Sequence, residues 1–125
     1  KQLFFNDLDY IIPIPIHHKR RFQRGYNQAE YIAKGISLII NKKTNNKFII
    51  KRTNTKSQTK KSLKKRWTNT QNTFKVIEKN IPNHILLVDD VITTGATIEE
   101  VVNTIIMNMP EIKISIVSLA ITKAD

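Results

Sequence analysis

The chain has 125 residues, enough for one domain with a real core, and its apolar fraction of 40% is that of an ordinary soluble protein. It contains no cysteine, which excludes disulfides and thiolate metal sites, and no apolar run approaches the roughly 18 residues of a membrane span. A formal net charge of +11 points to polyanionic partners, meaning nucleic acid, phosphorylated small molecules or acidic surfaces. With no signal-peptide pattern at the N-terminus, the expectation is a cytoplasmic protein without membrane insertion, organised as a single domain over residues 1–125.

In chain order, the first element is YIIPIPI, Tyr10 to Ile16. It is apolar and β-branched, its prolines stop a helix, and it predicts a buried strand ending near Pro15. From Asn27 the period changes: Ala29, Ile32, Ala33, Ile36, Ile39 and Ile40 fall on one helical face. KFII, from Lys47, predicts a second short strand. Residues 53–73 keep neither period, and some twenty structureless residues in a compact domain are expected as a functional lid or a disordered loop. HILLV, from His84, is a buried strand. Ile98, Val101, Val102, Ile105, Ile106 and Met109 mark an amphipathic helix that Pro110 closes, and IKISIVSLAI forms the last strand. Strands separated by helices predict an α/β fold, a parallel sheet flanked by helices.

The positive charge is uneven. No acid occurs between Glu30 and Glu78, and the densest stretch is KRTNTKSQTKKSLKKRW, residues 51–67. Charge alone leaves such a run open between a solvated, partly disordered segment and a surface for a polyanionic partner.

The informative acids lie in VDDVITTGAT, residues 88–97. In open parallel sheets ligands bind at the carboxyl ends of strands, and that is where Asp89 and Asp90 fall. Capping of the next helix explains neither, because that helix starts near Gly95. Adjacent carboxylates repel unless each has a partner, and vicinal sugar hydroxyls or a divalent cation would supply one. The residues that follow carry the opposite chemistry. Thr93, Thr94 and Thr97 bring hydroxyl donors, Gly95 permits positive φ, and amides converging at a helix N-terminus suit a phosphate. Acids for hydroxyls, then amides for phosphate, describe a ribose 5-phosphate site. No G-x-x-x-x-G-K-[ST] and no G-x-G-x-x-G occurs in the chain.

VDDVITTGAT resembles the phosphoribosyl pyrophosphate (PRPP) binding motif of type I phosphoribosyltransferases. The resemblance implies a type I phosphoribosyltransferase-like core with a long flexible loop. It also implies that Asp89 and Asp90 hold the ribose hydroxyls while Thr93, Thr94, Gly95, Ala96 and Thr97 wrap the 5-phosphate. A second stretch, PIPIHHKRRFQRGYNQAE, resembles the signature of the ComF family of competence-associated, phosphoribosyltransferase-like proteins, where a P-x-P strand end precedes basic residues and R-G-[FY]-N-Q-A. Here that motif is Arg24, Gly25, Tyr26, Asn27, Gln28 and Ala29, and Gln58, Ser62, Arg66, Asn69 and Phe74 fall at the family's loop offsets. Together the matches cover residues 10–121.

Three departures qualify the likeness. The N-terminal four-cysteine zinc module and hood segment usual in the family are missing from this sequence, so no protein zinc site is expected. Lys65 precedes the loop arginine where several members carry an acid. Thr93 occupies the position at which hypoxanthine-type enzymes place a catalytic Asp, and a threonine is a poor general base at neutral pH.

If the chain is a transferase, pyrophosphate leaves C1 of the ribose through an oxocarbenium-like state, and Mg²⁺ bound with PRPP and positive side chains must neutralise the leaving group. Candidates for the pyrophosphate are His17, Lys19, Arg20, Arg21 and Arg24, although His17 and His18 read more readily as exposed loop residues than as donors to it. Arg52, Gln58, Lys60, Lys61 and Arg66 are candidates in the flexible loop. Asn27 and Gln28 read as ligand contacts or, for Asn27, as a helix cap; Tyr26 reads as packing, and Trp67 as a seal or a stacking platform. Three functions follow from the resemblance: a Mg²⁺-dependent transferase with an unknown acceptor, a PRPP-sensing accessory of DNA uptake that works with competence proteins, or a single-stranded DNA binder using the basic loop.

Overall fold

A computed structural model describes residues 5–52 and 73–122. Its centre is a parallel sheet of four strands in the order β2–β1–β5–β6. These are β1 (Tyr10–Pro13), β2 (Lys43–Thr44), β5 (His84–Ile92) and β6 (Lys113–Ile121), while β3 (Ile49–Lys51) and β4 (Phe74–Val76) pair separately and antiparallel. Three helices lie wholly within the described residues, α1 (His18–Arg24), α2 (Gln28–Ile40) and α3 (Ala96–Asn108). The protein is therefore of the α/β class, a parallel sheet flanked by helices.

The layers follow from side-chain parity. In β1 and β5, paired as Tyr10↔Ile85 through Pro13↔Val88, alternate residues go to opposite faces. Ile12, Ile85 and Leu87 join Val101 and Ile105 of α3 and Met109 at its end on one side, with Phe48, Ile49 and Phe74 completing that core. Ile11, Leu86 and Val88 join Ala33 of α2 on the other, with Ile32, Ile36 and Ile40 packed against them. Val101 and Ile105 are wholly buried, as the helical period predicts.

Several elements differ from the sequence expectations. β1 stops at Pro13, two residues early, because neither Pro13 nor Pro15 can donate to a ladder. KFII contributes a strand that does not join the parallel sheet; it pairs with β4, a three-residue strand that the sequence reading did not assign. β2, only two residues of polar sequence, carried no periodic signal at all. Ile39 falls at the margin of the face that Ala33, Ile36 and Ile40 turn to the core, and it is 84% exposed. No helix among the described residues is long and apolar enough to cross a membrane.

Candidate functional site

β5 carries Asp89 and Asp90 to the carboxyl end of the sheet, both half-buried. The chain leaving β1 passes beside them, because the Ile14 N–H donates to the Val88 carbonyl at 2.8 Å. Each carboxylate folds back on the next amide: the Asp90 N–H donates to Asp89 Oδ1 and the Val91 N–H to Asp90 Oδ1, both at 2.8 Å. Burial, then the Asp90 side chain, pushes the Asp89 carboxyl from the ordinary 3.8 up to about 6, while the Asp90 amide opposes the rise. Asp89 is thus a carboxylate short of compensation for its charge.

The TTGAT turn closes on it. Gly95 takes φ +83°, a left-handed value that disfavours a β-carbon, and stands as the N-cap of α3 without any side-chain cap. The Thr94 hydroxyl accepts from the Ala96 N–H at 3.3 Å. Asp89 and residues Thr93, Thr94, Gly95, Ala96 and Thr97 line one small open hollow of 40 Å³ at the start of α3. The structure therefore brings the first acid and the whole turn together; Asp90 lies just outside that hollow. The hollow joins a carboxylate to the uncapped end of a 13-residue helix, the combination a sugar phosphate needs. Two neighbouring carboxylates also suit a hard divalent cation such as Mg²⁺, with the remaining oxygens coming from a phosphorylated ligand. Among the described residues no group of three or more His, Asp or Glu side chains gathers as a metal site.

The basic residues after β1 divide. His17 is buried rather than exposed: it is the N-cap of α1, its Nδ1 accepting from the Lys19 N–H at 3.2 Å. That contact gives His17 a structural task that its histidine pair did not suggest. Arg21 forms an ion pair with Glu30 at 2.5 Å. Lys19 and Arg24 lie exposed on α1, as does Arg20, which is close enough to Lys51 to affect its titration. Of the loop candidates only Arg52 is described, its N–H donating to the Thr73 carbonyl at 2.7 Å; Gln58, Lys60, Lys61, Arg66 and Trp67 lie outside the described residues.

Asn27 is committed to the fold. Its Oδ1 accepts from the Ala29 N–H and its amide donates to the Ile14 carbonyl, both at 3.1 Å, in a side chain that is 5% exposed. It caps α2 and pins that helix to the exit of β1, so the capping alternative holds and the ligand reading is corrected. Asn27→Ala is expected to lower unfolding free energy by about 2 kcal/mol, from a lost cap and a stranded carbonyl. Asn27→Ser, which keeps a cap acceptor and sets no carboxylate against the Ile14 carbonyl, should lose less in a urea melt.

Lys51 was missed from the sequence. It shares the inward parity of Ile49 on β3, and burial, followed by the nearby Arg20, holds its ammonium below the usual lysine range. Its Nζ lies 5.8 Å from the centre of the Phe74 ring. It also lines a second hollow, of 280 Å³, with Pro13, Pro15, Arg21 and Asn27, and it interacts with Glu100 of α3, whose carboxyl burial pushes up. Lys51 therefore stands at the exit of β1, near enough to Glu100 for the two charges to affect each other. The available signal was parity: a lysine two residues after a buried isoleucine on a strand.

No protein-family model matches the chain. Among curated proteins it is 38% identical to competence protein F of Haemophilus influenzae over 94 residues, 73% of this chain and 41% of that protein. It is 28% identical to the DNA utilization protein YhgH of Escherichia coli O6:H1 over 100 residues, 80% of this chain and 44% of the relative. A YhgH protein of Salmonella typhimurium matches at 27% over the same length. The chain thus spans less than half the length of the curated relatives it matches. With the acid pair and the uncapped turn in place, and with this degree of identity to competence protein F, the chain belongs to the ComF family.

Proposed function

We propose that this chain is a PRPP-binding, phosphoribosyltransferase-like domain acting in DNA uptake or DNA use, in the cytoplasm. The observation that supports it most is the single hollow shared by Asp89 and Thr93–Thr97, where a half-buried carboxylate meets the open end of α3. Asp89 and Asp90 would accept hydrogen bonds from the ribose hydroxyls. The amides and hydroxyls of Thr93, Thr94, Gly95, Ala96 and Thr97 would enclose the 5-phosphate, which adds its charge to the helix end. Bound with PRPP, Mg²⁺ would neutralise pyrophosphate oxygens as they leave. Arg20 and Lys51, close enough to affect each other's charge, are the cations we assign to the same pyrophosphate.

The test is calorimetric titration of the full chain with PRPP and Mg²⁺. Saturable heat at neutral pH is the expected result, and its absence overturns the reading. Pyrophosphate release, followed across a panel of nucleobases and other nucleophiles, separates a transferase from a sensor. Thr93 at the base position favours the sensor, since no side chain there accepts a proton at neutral pH.

A second reading, single-stranded DNA binding through the basic stretch 51–67, is supported by the net charge of +11 and by the DNA utilization named in its relatives. It predicts a steep dependence of affinity on salt.

A further inference from the structure

Beside α2, a further groove that shares no lining residue with the Asp89 hollow is unexplained by a PRPP site. It measures 340 Å³ and runs between the α1–α2 junction and β2, lined by Arg21, Tyr26, Glu30, Tyr31, Lys34 and Asn46. That is within the usual size of a small-molecule subsite. Two aromatic rings form a corner in it: the Tyr26 and Tyr31 centroids lie 6.0 Å apart, with the ring planes at 67°. Neither ring is spent on the core, for Tyr26 is 40% and Tyr31 68% exposed. An exposed Tyr in water gains little from its position, so packing does not account for Tyr31.

The charge around this corner is positive. Lys34 follows Tyr31 by three residues and so shares its helix face, Arg24 precedes Gly25 at the groove rim, and Lys43 precedes Thr44, which also lines it. The one acid of the groove, Glu30, is already held by Arg21. Aromatic faces set among cations, with no free acid in the lining, are what a flexible polyanion of planar rings requires. Bases stack on the rings and phosphates meet the cations. A duplex hides its base faces and cannot use the corner.

We propose that the Tyr26–Tyr31 corner binds a base of single-stranded nucleic acid, with Lys34 and Arg24 contacting the flanking phosphates. The site is separate from the Asp89 hollow and from the 51–67 stretch. Arg21, Glu30 and Asn46 line both this groove and the 280 Å³ hollow beside Lys51, so a strand seated on the tyrosines leads toward the exit of β1.

The experiment is fluorescence anisotropy of a labelled oligo(dT) of about twenty nucleotides on the full chain, against salt, with a matched duplex as comparison. Preference for the single strand is expected. Tyr31→Ala should weaken binding by about tenfold at an unchanged log–log salt slope, Tyr31→Phe should stay near the parent, and Lys34→Gln should shallow the slope. Because both positions are exposed, thermal melts should match the parent's. The Asp89→Asn/Asp90→Asn variant should bind the oligonucleotide normally, which separates this failure from failure of the PRPP reading. Equal affinity for duplex, an unaffected Tyr31→Ala, or a Tyr31→Phe as weak as Tyr31→Ala overturns the proposal. So does equally tight binding of free dTMP, which would mark a mononucleotide site, and so does Tyr31-dependent binding only to phosphatidylglycerol vesicles.

Discussion

The Asp89→Asn/Asp90→Asn double variant is expected to bind PRPP with Mg²⁺ at least about a hundredfold more weakly than the parent. Hydrogen bonds to a charged partner contribute roughly 1.5–3 kcal/mol each, and the variant replaces two carboxylates by amides that neither attract a cation nor accept as strongly. Calorimetry gives the result, and an affinity within about threefold of the parent would remove both acids from the site.

The pH dependence gives a second, independent readout. Asp89 titrates near 6 in the folded protein, so protons compete with ribose hydroxyls and cation as the pH falls through that value. PRPP affinity should drop below about pH 6 in the parent and change little there in Asp89→Asn. Stability runs the other way. The folded state holds this proton more tightly than the unfolded chain, whose carboxyl titrates near 3.8, so unfolding free energy falls as pH rises from 3.8 to about 6. Above that window the ionised Asp89 is a standing strain, and Asp89→Asn should melt at a higher temperature than the parent at neutral pH. A gain in stability together with a loss of binding is the pattern of a residue kept for its ligand.

His84→Ala is expected to remove about 3–5 kcal/mol of unfolding free energy, a large share of what a domain of this size has. The ring is fully buried at the first position of β5. Its Nδ1 lies 2.9 Å from Asp7 Oδ1 and its Nε2 2.8 Å from the Ser115 hydroxyl, so one side chain joins the segment before β1, β5 and β6. A carboxylate only accepts, so Nδ1 carries the proton toward Asp7. Asp9 adds to the seam, its Oδ2 accepting from the Asn83 and His84 N–H groups at 2.6 and 3.2 Å. Truncation leaves a cavity and strands the Ser115 hydroxyl; Ser115→Ala alone should cost only about 1 kcal/mol. Denaturant titration measures both, and a His84→Ala loss no greater than that of Ser115→Ala would show that the ring is replaceable.

Asp7 gives this seam its acid sensitivity. The His84 hydrogen bond, with the nearby Lys113, holds the Asp7 carboxyl below its usual range. A lowered carboxylate contributes stability that is full above the unfolded value of 3.8 and is lost as the pH falls further. The two ends of β5 therefore carry acids of opposite sign: Asp7 beside its amino end stabilises when ionised, and Asp89 at its carboxyl end destabilises.

The parts legible in the sequence were those whose information is local. The period of Ile98, Val101 and Ile105 places α3, the unbroken apolar run places β5, and Gly95 marks the turn between them, because each depends on neighbours within a few residues. What stayed hidden depends on a partner far along the chain. β4 exists because Phe74–Val76 finds Ile49–Lys51, and β2 because two polar residues find Tyr10 and Ile11. Asn27 looked like a ligand contact because nothing in its neighbourhood shows that the Ile14 carbonyl waits 13 residues away. His84 read only as the first letter of an apolar strand, since Asp7 and Ser115 are 77 and 31 residues distant. In the site, the Asp89 hollow was readable and Lys51 was not, for the same reason.

The antiparallel pairing of β3 with β4 makes a short clasp beside the β1 exit. Lys51 is in register with Phe74, and the Arg52 N–H donates to the Thr73 carbonyl. Lys51 owes its place over the Phe74 ring, and in the wall of the 280 Å³ hollow, to that clasp rather than to the parallel sheet. Anything that parts the two strands would move this cation without breaking a single ladder bond between the four parallel strands.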